Sequence, residues 1–411
     1  MHGIALALVW CFGSLSVVGG VYWTIVAWRV RRDGKNRPSL TEGLTGSLAH
    51  WPAVSVIIPA HNEEGHAPDL LRSLLAQDYL GELEVIFVLD RCTDGTLVAL
   101  ERVRADHAAG VRAIKVSLIE NTHCPDEWAG KCNAAHQGAL VATGEILLFT
   151  DADTTFEPGV IRASVKLLHD RGLALLSVLS TVSVRHFFEA VAQPVAALQL
   201  MKLYPIARVN DIENPMPFAN GQFMMFSREA YEAIGGHAAV KDALLEDLAF
   251  AKQIVRIIKR KAGLFLSDGL VHVQMYETYA QFREGWRRIF IEACHRNPRR
   301  MRRYGLECMG LGTGVAGVAL ASIVGGAAAL SLDDRPLALV GFTLGALALI
   351  IQQLTLMRIY QLVGVPRIAT LAYPFASLAV ARILWRGAKD LRRSAPVRWG
   401  GREYRLEPTE R

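Results

Sequence analysis

Two aspartates, Asp151 and Asp153, stand one residue apart at the end of an apolar run, in the stretch ILLFTDADTTFEPG from 146 to 159. Carboxylates with this spacing can approach one hard cation, which usually keeps some waters and takes phosphate oxygens in its remaining positions. Such a pair is common on its own, but its position at the end of a buried strand favours a binding role. The spacing therefore predicts a metal site for a nucleotide diphosphate, with Mg²⁺ or Mn²⁺ as the cation.

Acidic residues also follow two earlier apolar runs, which end in PAHNEE (59–64) and LDRCTDGT (89–96). These strand ends supply Glu63, Asp90 and Asp94. A single acidic strand end is usually a helix cap or a solvated loop, but three in succession favour one shared site. Asp90 and Asp94 are predicted to hydrogen-bond the base and the ribose of the nucleotide.

The elements that position these residues lie between 51 and 304. The runs AVSVIIPA, LEVIFVLD, EILLFTD and LALLSVL are short, apolar and rich in leucine or β-branched residues, and polar or helix-like segments follow them. This alternation is typical of an α/β domain with a largely parallel sheet. Ligands of such sheets bind beyond the carboxyl ends of the strands, which is where the acidic residues fall.

The composition indicates a soluble domain joined to membrane segments. The chain has 411 residues, 51% of them hydrophobic and 20% charged, with a mean hydropathy of +0.23. The basic residues behind the net charge of +6 cluster beside apolar runs, which is typical of cytoplasmic membrane flanks. No basic stripe with interleaved aromatics is present, so nucleic acid is not expected as a partner. The six cysteines lack paired spacing and are interpreted as reduced thiols.

The apolar run 3–28 is uncharged and long enough to cross a bilayer. The alternative, a cleaved signal peptide, is disfavoured because no basic segment precedes the run. The cations of the following RVRRDGKNR place the segment after Arg29 in the cytoplasm. Runs at 306–332 and 336–357, joined by DDR, predict a membrane hairpin. The protein is therefore expected in the inner (plasma) membrane as a multi-pass protein.

The segment 366–385 is ambiguous, because it barely reaches spanning length and contains Pro374 and Arg382. A strongly basic tail follows it, and the positive-inside tendency opposes export of that tail. In chain order, the predicted organisation is an N-terminal anchor (1–30), a catalytic domain ending in interfacial helices (51–304), the hairpin (305–358), an interfacial or re-entrant segment (366–390) and a basic cytoplasmic tail (391–411).

Six motifs occur in an order that resembles the family 2 glycosyltransferases with the GT-A fold: VIIPAHNEE, VLDRCTDGT, GKCNAAHQGAL, LFTDADTTFEPG, NGQFMMFSREAYEAIGG and LLEDLAFA. This resemblance covers about 51–300. The N-terminal span, LYPIARVND (203–211), the hairpin and VRWGGREY are most similar to hopanoid-biosynthesis-associated and carotenoid glycosyltransferases. The resemblance implies a Rossmann-like GT-A domain.

The resemblance also implies roles for individual residues. Asp90 matches the aspartate that contacts the base, Asp153 the metal-binding aspartate, and Asp151 the aspartate on the sugar or ribose side. Asp247 matches the base that deprotonates the acceptor, with Glu246 orienting the site. Further residues implied in nucleotide-sugar binding are Pro59, His61, Glu63, Asp94, Lys131, Gly221 and Gln222.

The chain departs from the family pattern at QFREGWRR (281–288), where many membrane members carry QxxRW. Trp286 is interpreted as lining the acceptor site, and Arg287 or Arg288 as reaching the diphosphate. An amphipathic interfacial helix explains the same residues equally well.

These observations predict transfer of a sugar from a nucleotide-diphosphate sugar, expected to be a UDP-sugar, to a lipid hydroxyl in the membrane. One carboxylate base without a second nucleophile predicts inversion at the anomeric carbon. The candidate acceptors are a hopanoid, a carotenoid or another polyprenoid alcohol, with sphingolipid-like lipids and polyprenyl phosphates as further options. The alternatives are a processive polysaccharide synthase and a non-catalytic nucleotide-binding membrane scaffold.

Overall fold

The computed structural model describes residues 2–33, 37–108, 114–399 and 402–409. Residues 34–36 of the predicted basic flank, and 400, 401, 410 and 411 of the predicted tail, lie outside the described residues. The strands are β1 (Val54–Ala60), β2 (Leu83–Asp90), β3 (Lys115–Asn121), β4 (Ile146–Thr150), β5 (Thr154–Phe156), β6 (Leu175–Leu179), β7 (Thr181–Val182), β8 (Phe223–Ser227), β9 (Ala262–Leu266), β10 (Val271–Val273), β11 (Pro396–Trp399) and β12 (Arg402–Arg405).

Helices separate most of these strands. They are α1 (His2–Asp33), α2 (Ala67–Leu75), α3 (Thr96–Ala108), α4 (Gly130–Val141), α5 (Val160–Asp170), α6 (Phe187–Val191), α7 (Gln193–Leu203), α8 (Ile206–Val209), α9 (Arg228–Ala233), α10 (Glu246–Lys252), α11 (Tyr279–Ala293), α12 (Pro298–Met309), α13 (Val315–Ser331), α14 (Arg335–Leu362) and α15 (Tyr373–Arg392). A π-helical stretch, Gly310–Gly314, joins α12 to α13 without a break.

The central sheet has the strand order β3-β2-β1-β4-β8-β6-β9 over the described residues. Its neighbouring strands pair in parallel, except that β8 is antiparallel to both β4 and β6. Every residue of β2 and β4 is buried, as expected for strands covered on both faces. The predicted α/β class and largely parallel sheet are confirmed, and the four strands predicted from apolar runs are β1, β2, β4 and β6.

The carboxyl ends of β1, β2 and β4 lie side by side at one edge of the sheet. A small sheet of β5, β10 and β7 continues this edge. Its strand β5 begins directly after the aspartate pair, and the Gln274 amide at the end of β10 donates to the Asp153 carbonyl at 3.1 Å. The aspartate pair therefore occupies a turn held between the two sheets.

Four helices are long and apolar enough to cross a membrane in the part of the chain that the structure describes: His2–Arg32, Pro298–Ser331, Arg335–Leu362 and Arg367–Arg392. Helices α1, α13 and α14 pack into one bundle, in which glycines bring α13 and α14 together. A Cβ atom at Gly341 would lie 2.8 Å from the Gly326 Cα atom. The predicted N-terminal and hairpin helices are thus present, and α13 and α14 are joined by the turn at Asp333.

Helix α15 begins at the end of this bundle that is nearer to the catalytic domain. The Tyr373 ring lies 5.7 Å from the Trp23 ring, measured between centroids. From there α15 runs antiparallel to α12, because Cys308 Sγ donates to the Ser377 carbonyl at 3.3 Å and Trp385 Nε1 donates to the Arg302 carbonyl at 3.3 Å. Although α15 is long enough to span, it lies beside α12 and not beside the apolar α13. Its interfacial placement stays a prediction.

Candidate active site

Lys131, in the first turn of α4, connects two parts of the sheet edge. Its Nζ atom lies 2.7 Å from Asp151 Oδ1 and 2.6 Å from Glu246 Oε1. Burial alone would lower the pKa of Lys131, but the charges of these two carboxylates raise it above its usual range. The lysine therefore stays charged and holds the end of β4 against the start of α10.

Asp247 lies in the first turn of α10, beside the pair formed by Lys131 and Glu246. Its Oδ2 atom accepts a hydrogen bond from the Gly221 amide at 2.9 Å, and its Oδ1 atom accepts one from the Leu248 amide at 2.7 Å. Burial, together with the negative charge of Glu246, raises the pKa of Asp247 to about 7. A carboxylate with a pKa near neutral pH is well suited to general-base catalysis.

Gly221 leaves the space at the centre of this group open. A Cβ atom at this position would lie 3.3 Å from each of three atoms, Asp247 Oδ2, Glu246 Oε1 and Lys131 Nζ. The backbone of the segment before β8 therefore approaches the three charged groups as closely as a residue without a side chain allows.

Asp153 is the carboxylate best placed to hold a cation. Its Oδ1 atom is buried and has no hydrogen-bond partner in the described chain. Burial raises the pKa of Asp153 to about 8, and the negative charges of Asp151 and Glu63 add to the rise. A divalent cation would satisfy this oxygen and offset the crowding of negative charge. The described residues contain no cluster of three or more His, Cys, Asp or Glu side chains for a metal, so most ligands would come from water and the donor diphosphate.

The predicted base-binding end of the site is formed where β2 ends. Asp90 is buried, and its carboxylate accepts hydrogen bonds from Asn121 Nδ2 at 3.0 Å and Arg91 Nη2 at 2.6 Å. The His61 Nδ1 atom lies 2.6 Å from the Asp90 carbonyl oxygen. The Asp90 carboxylate is thus a hydrogen-bond acceptor whose position is fixed by Asn121 and Arg91.

Asp94 links the loops after β1 and β2, and the Glu63 amide adds a hydrogen bond to Thr96 Oγ1 at 2.9 Å. The Asp94 carboxylate accepts hydrogen bonds from the Glu64 and Thr96 amides, both at 3.1 Å. Burial opposes ionisation of Asp94, but the hydrogen bonds from Thr96 and Glu64 outweigh it and lower the pKa. Both Asp94 oxygens accept hydrogen bonds from backbone amides, so in this structure Asp94 stabilises the two loops. The other predicted residues of this edge, Pro59 and Gln222, lie within or next to the sheet.

Helix α11 brings Arg288 close to the site, but not the two residues before it, Trp286 and Arg287. Arg288 feels the charges of Glu246, Asp151 and Asp247, and burial lowers its pKa. Trp286 is buried in the core, where Nε1 donates to Gln193 Oε1 at 2.9 Å. These positions separate the predicted roles: Arg288 can meet a diphosphate, whereas Trp286 packs against α7.

Arg287 points to α15 and away from the sheet edge. Its guanidinium lies 2.6 Å from Glu284 Oε2 and also pairs with Asp390 of α15. Neither carboxylate belongs to the sheet edge, so the structure does not bring Arg287 to the predicted diphosphate position.

Two residues near the aspartate pair were not predicted from the sequence. Tyr276, just after β10, is buried close enough to Asp153 and Arg288 to feel their charges. His66 lies at the start of α2, where Nδ1 is 3.2 Å from Glu63 Oε2, and this hydrogen bond raises the pKa of His66. The i,i+3 spacing of Glu63 and His66 is the one sequence feature that could have indicated their contact. No sequence motif marks Tyr276.

Comparisons with known proteins give a consistent result. The family model described as glycosyl transferase family 2 matches residues 55–235, and that described as glycosyl transferase family group 2 matches 146–376, more than half of the chain. The 4,4'-diaponeurosporenoate glycosyltransferase of Staphylococcus aureus (strain USA300) is 25% identical over 360 residues, which cover 86% of this chain and 88% of the relative.

Solved structures with a related arrangement include a mannosyltransferase from Pyrobaculum calidifontis in complex with GDP-Man and Mn²⁺. It is 22% identical, with a TM-score of 0.45 over 91% of this chain and 98% of the other. Glucosyl-3-phosphoglycerate synthase from Mycobacterium tuberculosis, in complex with Mg²⁺ and UDP, is 17% identical, with a TM-score of 0.38 over 62% of this chain and 82% of the other. The activity of this chain is not inferred from structures of such low similarity.

The matched family models cover both the sheet edge with its charged residues and the helices that follow it. The predicted GT-A fold class and the predicted enzyme class agree with this match. The chain belongs to the family 2 glycosyltransferases.

Proposed function

We propose that this glycosyltransferase transfers a sugar from a UDP-sugar to the hydroxyl group of a polyprenoid-type membrane lipid, with inversion at the anomeric carbon. The observation that carries the proposal is the buried group at the sheet edge, in which Lys131 bridges Asp151 and Glu246 next to Asp247. This group supports the proposal because the Lys131 ammonium, which would face the departing diphosphate, lies beside a carboxylate that can accept a proton.

Each part of the group has a chemical role in such a transfer. Asp247 accepts the proton of the acceptor hydroxyl, because its raised pKa makes it a stronger base than an ordinary aspartate. Lys131 and Arg288 supply positive charge where negative charge develops on the leaving diphosphate. Bound Mg²⁺ or Mn²⁺, held by Asp153 with Asp151 beside it, would neutralise further diphosphate charge.

Inversion follows from how the remaining carboxylates are engaged. Asp151 and Glu246 are both paired with Lys131, so neither is placed as a second nucleophile. With Asp247 as a base and no covalent intermediate, the acceptor oxygen attacks opposite the leaving group.

A lipid acceptor is supported by how the site is joined to the membrane helices. Gln193 of α7 binds Trp286 of α11, and the Tyr360 hydroxyl of α14 donates to the Val191 carbonyl just before α7 at 3.4 Å. The catalytic helices and an apolar bundle thus form one packed unit. The S. aureus relative is named for the acceptor 4,4'-diaponeurosporenoate, a carotenoid. The basic residues in the last turns of α1 support a cytoplasmic catalytic domain in a multi-pass protein of the inner membrane.

The packing of the bundle argues against a processive synthase, which must pass a polymer through the bilayer. Helices α13 and α14 meet backbone to backbone at Gly326 and Gly341, and a Cβ atom at Gly325 would lie 2.9 Å from Leu8 Cβ of α1. These contacts leave no lumen along the shared faces of the three helices. A single transfer to a lipid requires none.

The test uses the full chain in lipid nanodiscs with UDP-, GDP- and dTDP-sugars, a bacterial lipid extract, and Mg²⁺, Mn²⁺ or EDTA. We expect a glycolipid product from a UDP-sugar, formed only with the metal, and an inverted anomeric configuration by NMR. Asp69→Asn, an exposed aspartate on α2, serves as the control for Asp247→Asn. A retained configuration, a polymer, or equal loss of activity in both variants would contradict the proposal.

A further inference from the structure

A basic cleft lies on the outside of α12 and α15, away from the catalytic group. Two cavities, of about 500 and 690 Å³, flank Trp385 and share Lys389 and Arg393 in their walls. The larger one is also lined by Arg302, Leu306 and Arg392. We refer to these six residues as the Trp385 cleft.

The cleft carries positive charge that the protein itself does not neutralise. Across the described ranges, no ion pair joins Arg302, Lys389, Arg392 or Arg393 to a carboxylate. The carboxylate within reach, Asp390, is already paired with Arg287 and lies 3.8 Å from Arg386. The cleft therefore has several strong donors for an anionic group.

The walls of the cleft are firmly built. The Trp385 indole packs on Gly305, where any Cβ atom would collide with it, and Nε1 donates to the Arg302 carbonyl at 3.3 Å. Ala388, on the floor of the cleft, is buried against the same pair of helices. The position of the charges is thus set by helix packing and not by flexible loops.

The cleft begins at the level of the lipid headgroups and extends to their aqueous side. The segment from Leu311 to Ser331 spans about 30 Å at 1.5 Å per residue, which is the thickness of a hydrocarbon core. On the same continuous helix, Leu306 then lies about 7 Å and Arg302 about 13 Å beyond the core. The headgroup layer is about 5–8 Å thick, and long arginine side chains can reach back into it.

The exposed stripe of the helix supports the same depth. Ile368 and Leu371, in the 3₁₀ helix Arg367–Ala372 before α15, and Phe375, in the first turn of α15, are 72%, 60% and 77% exposed, and they precede the cleft residues of α15 in the chain. Exposed Arg367 and Arg382 flank this apolar group, and most of the exposed cations of α15 follow Trp385. An apolar group followed by a basic cluster is expected where a helix passes from the acyl chains toward the water.

We propose that the Trp385 cleft binds the phosphate-bearing headgroup of an anionic membrane phospholipid in the leaflet that faces the catalytic domain. The exposed apolar side chains Ile368, Leu371 and Phe375, just before α15 and in its first turn, contact the acyl chains of that leaflet. The site is separate from the sugar-transfer centre and does not depend on which donor or acceptor is used there.

Binding is tested on the full chain, purified in a neutral detergent and titrated with short-chain phosphatidylglycerol or phosphatidylcholine, with bound lipid counted by native mass spectrometry. The variant is Lys389→Gln/Arg392→Gln/Arg393→Gln. Each basic residue near an anionic surface contributes roughly fivefold in affinity, so the three changes together should weaken phosphatidylglycerol binding about 100-fold. Phosphatidylcholine should bind weakly to both forms.

The control carries the same loss of charge elsewhere: Arg72→Gln/Arg104→Gln/Arg171→Gln, at exposed positions of the catalytic domain. It should bind phosphatidylglycerol as the wild type does. Equal weakening in both triple variants would mean a general charge effect and would overturn the proposal. If the cleft variant does not fold, the single changes Lys389→Gln and Arg393→Gln should each weaken binding about fivefold, and unchanged binding in both would also overturn it.

A second arm separates a lipid from a free anion. Inorganic phosphate and glycerol phosphate, added at the concentration of the lipid, should leave bound phosphatidylglycerol in place, because they lack the acyl chains. Displacement by either anion at that concentration would show that the cleft binds phosphate alone, which contradicts the assignment to a lipid.

Discussion

Replacing Asp247 with asparagine tests the proposed base most directly, because the two side chains have nearly the same shape. The Gly221 and Leu248 amides donate to different oxygens of the Asp247 carboxylate, so the single amide oxygen of asparagine can keep one of these two hydrogen bonds. It cannot accept the proton of an acceptor hydroxyl. We therefore expect unchanged donor affinity and a turnover reduced by a factor of about 10²–10⁴, the usual contribution of a general base.

The pH dependence of turnover gives a second readout of the same residue. The pKa of Asp247 is raised to about 7, so the base is ionised above this pH and protonated below it. Turnover of the wild type should fall about tenfold per pH unit on the acid side of this value. The residual activity of Asp247→Asn should lack that dependence.

Stability supplies a third readout, whose sign can be worked out. The native pKa of about 7 lies above the ordinary value of 3.8. The native state therefore binds more protons than the unfolded state between these values, and the contribution of Asp247 to stability falls as the pH rises through this window. The full difference is of the order of 4 kcal/mol, so Asp247→Asn should be more stable than the wild type above pH 7 and similar to it near pH 4.

The assay combines donor titration, initial rates in nanodiscs and thermal unfolding in detergent across this pH range. Asp242→Asn, an exposed aspartate five residues earlier, is the matched control and should change none of the three quantities. Turnover of Asp247→Asn near the wild-type value would refute the assignment of the base. Equal losses of turnover and donor affinity would place Asp247 in donor binding instead.

Three further predictions concern the metal, the centre of the site and the topology. Asp153→Ala should abolish transfer and remove the metal dependence of UDP binding, measured by calorimetry with Mn²⁺ or EDTA; persistent metal-dependent binding would exclude Asp153 as a ligand. Gly221→Ala should lower turnover roughly 10- to 100-fold, about 1–3 kcal/mol of barrier, because its Cβ atom would lie 3.3 Å from three charged groups; Gly65→Ala, with nothing within 4 Å of its Cβ atom, is the control, and equal rates would contradict the reasoning. A cysteine replacing Glu407 in a cysteine-free chain should resist impermeant thiol reagents in intact cells and react after lysis, because the Thr409 amide donates to the Arg296 carbonyl of the catalytic unit at 3.0 Å; labelling of intact cells would mean an external tail.

The strands that carry the site could be predicted because their sequences are unusual. Strands β1, β2 and β4 are covered on both faces, and their near-continuous apolar runs stand out from the rest of the chain. Strand β3 was not predicted, since it lies at the edge of the sheet and mixes exposed and half-buried residues. Strand β8 gave no separate signal, and its antiparallel direction depends on a long connection that local patterns do not describe.

Some residues of the candidate site could likewise be predicted from local sequence patterns, and others could not. The spacing of Asp151 and Asp153 and the acidic strand ends indicate a metal and a nucleotide without any knowledge of the family. Lys131 and Asp247 lie in the first turns of helices, where a charged residue is usually exposed. Their roles came from the family resemblance alone, because the contact between α4 and α10 is made only by the tertiary fold.

Consecutive residues on α11 show why sequence patterns could not separate their roles. Side chains on a helix turn by about 100° per residue, so Trp286, Arg287 and Arg288 point in three directions. Trp286 binds Gln193 of α7, Arg287 binds Asp390 of α15, and Arg288 lies near the carboxylates of the site. One helical turn therefore joins the candidate active site to α7 and α15, and the position of Arg288 depends on how these two helices pack against α11.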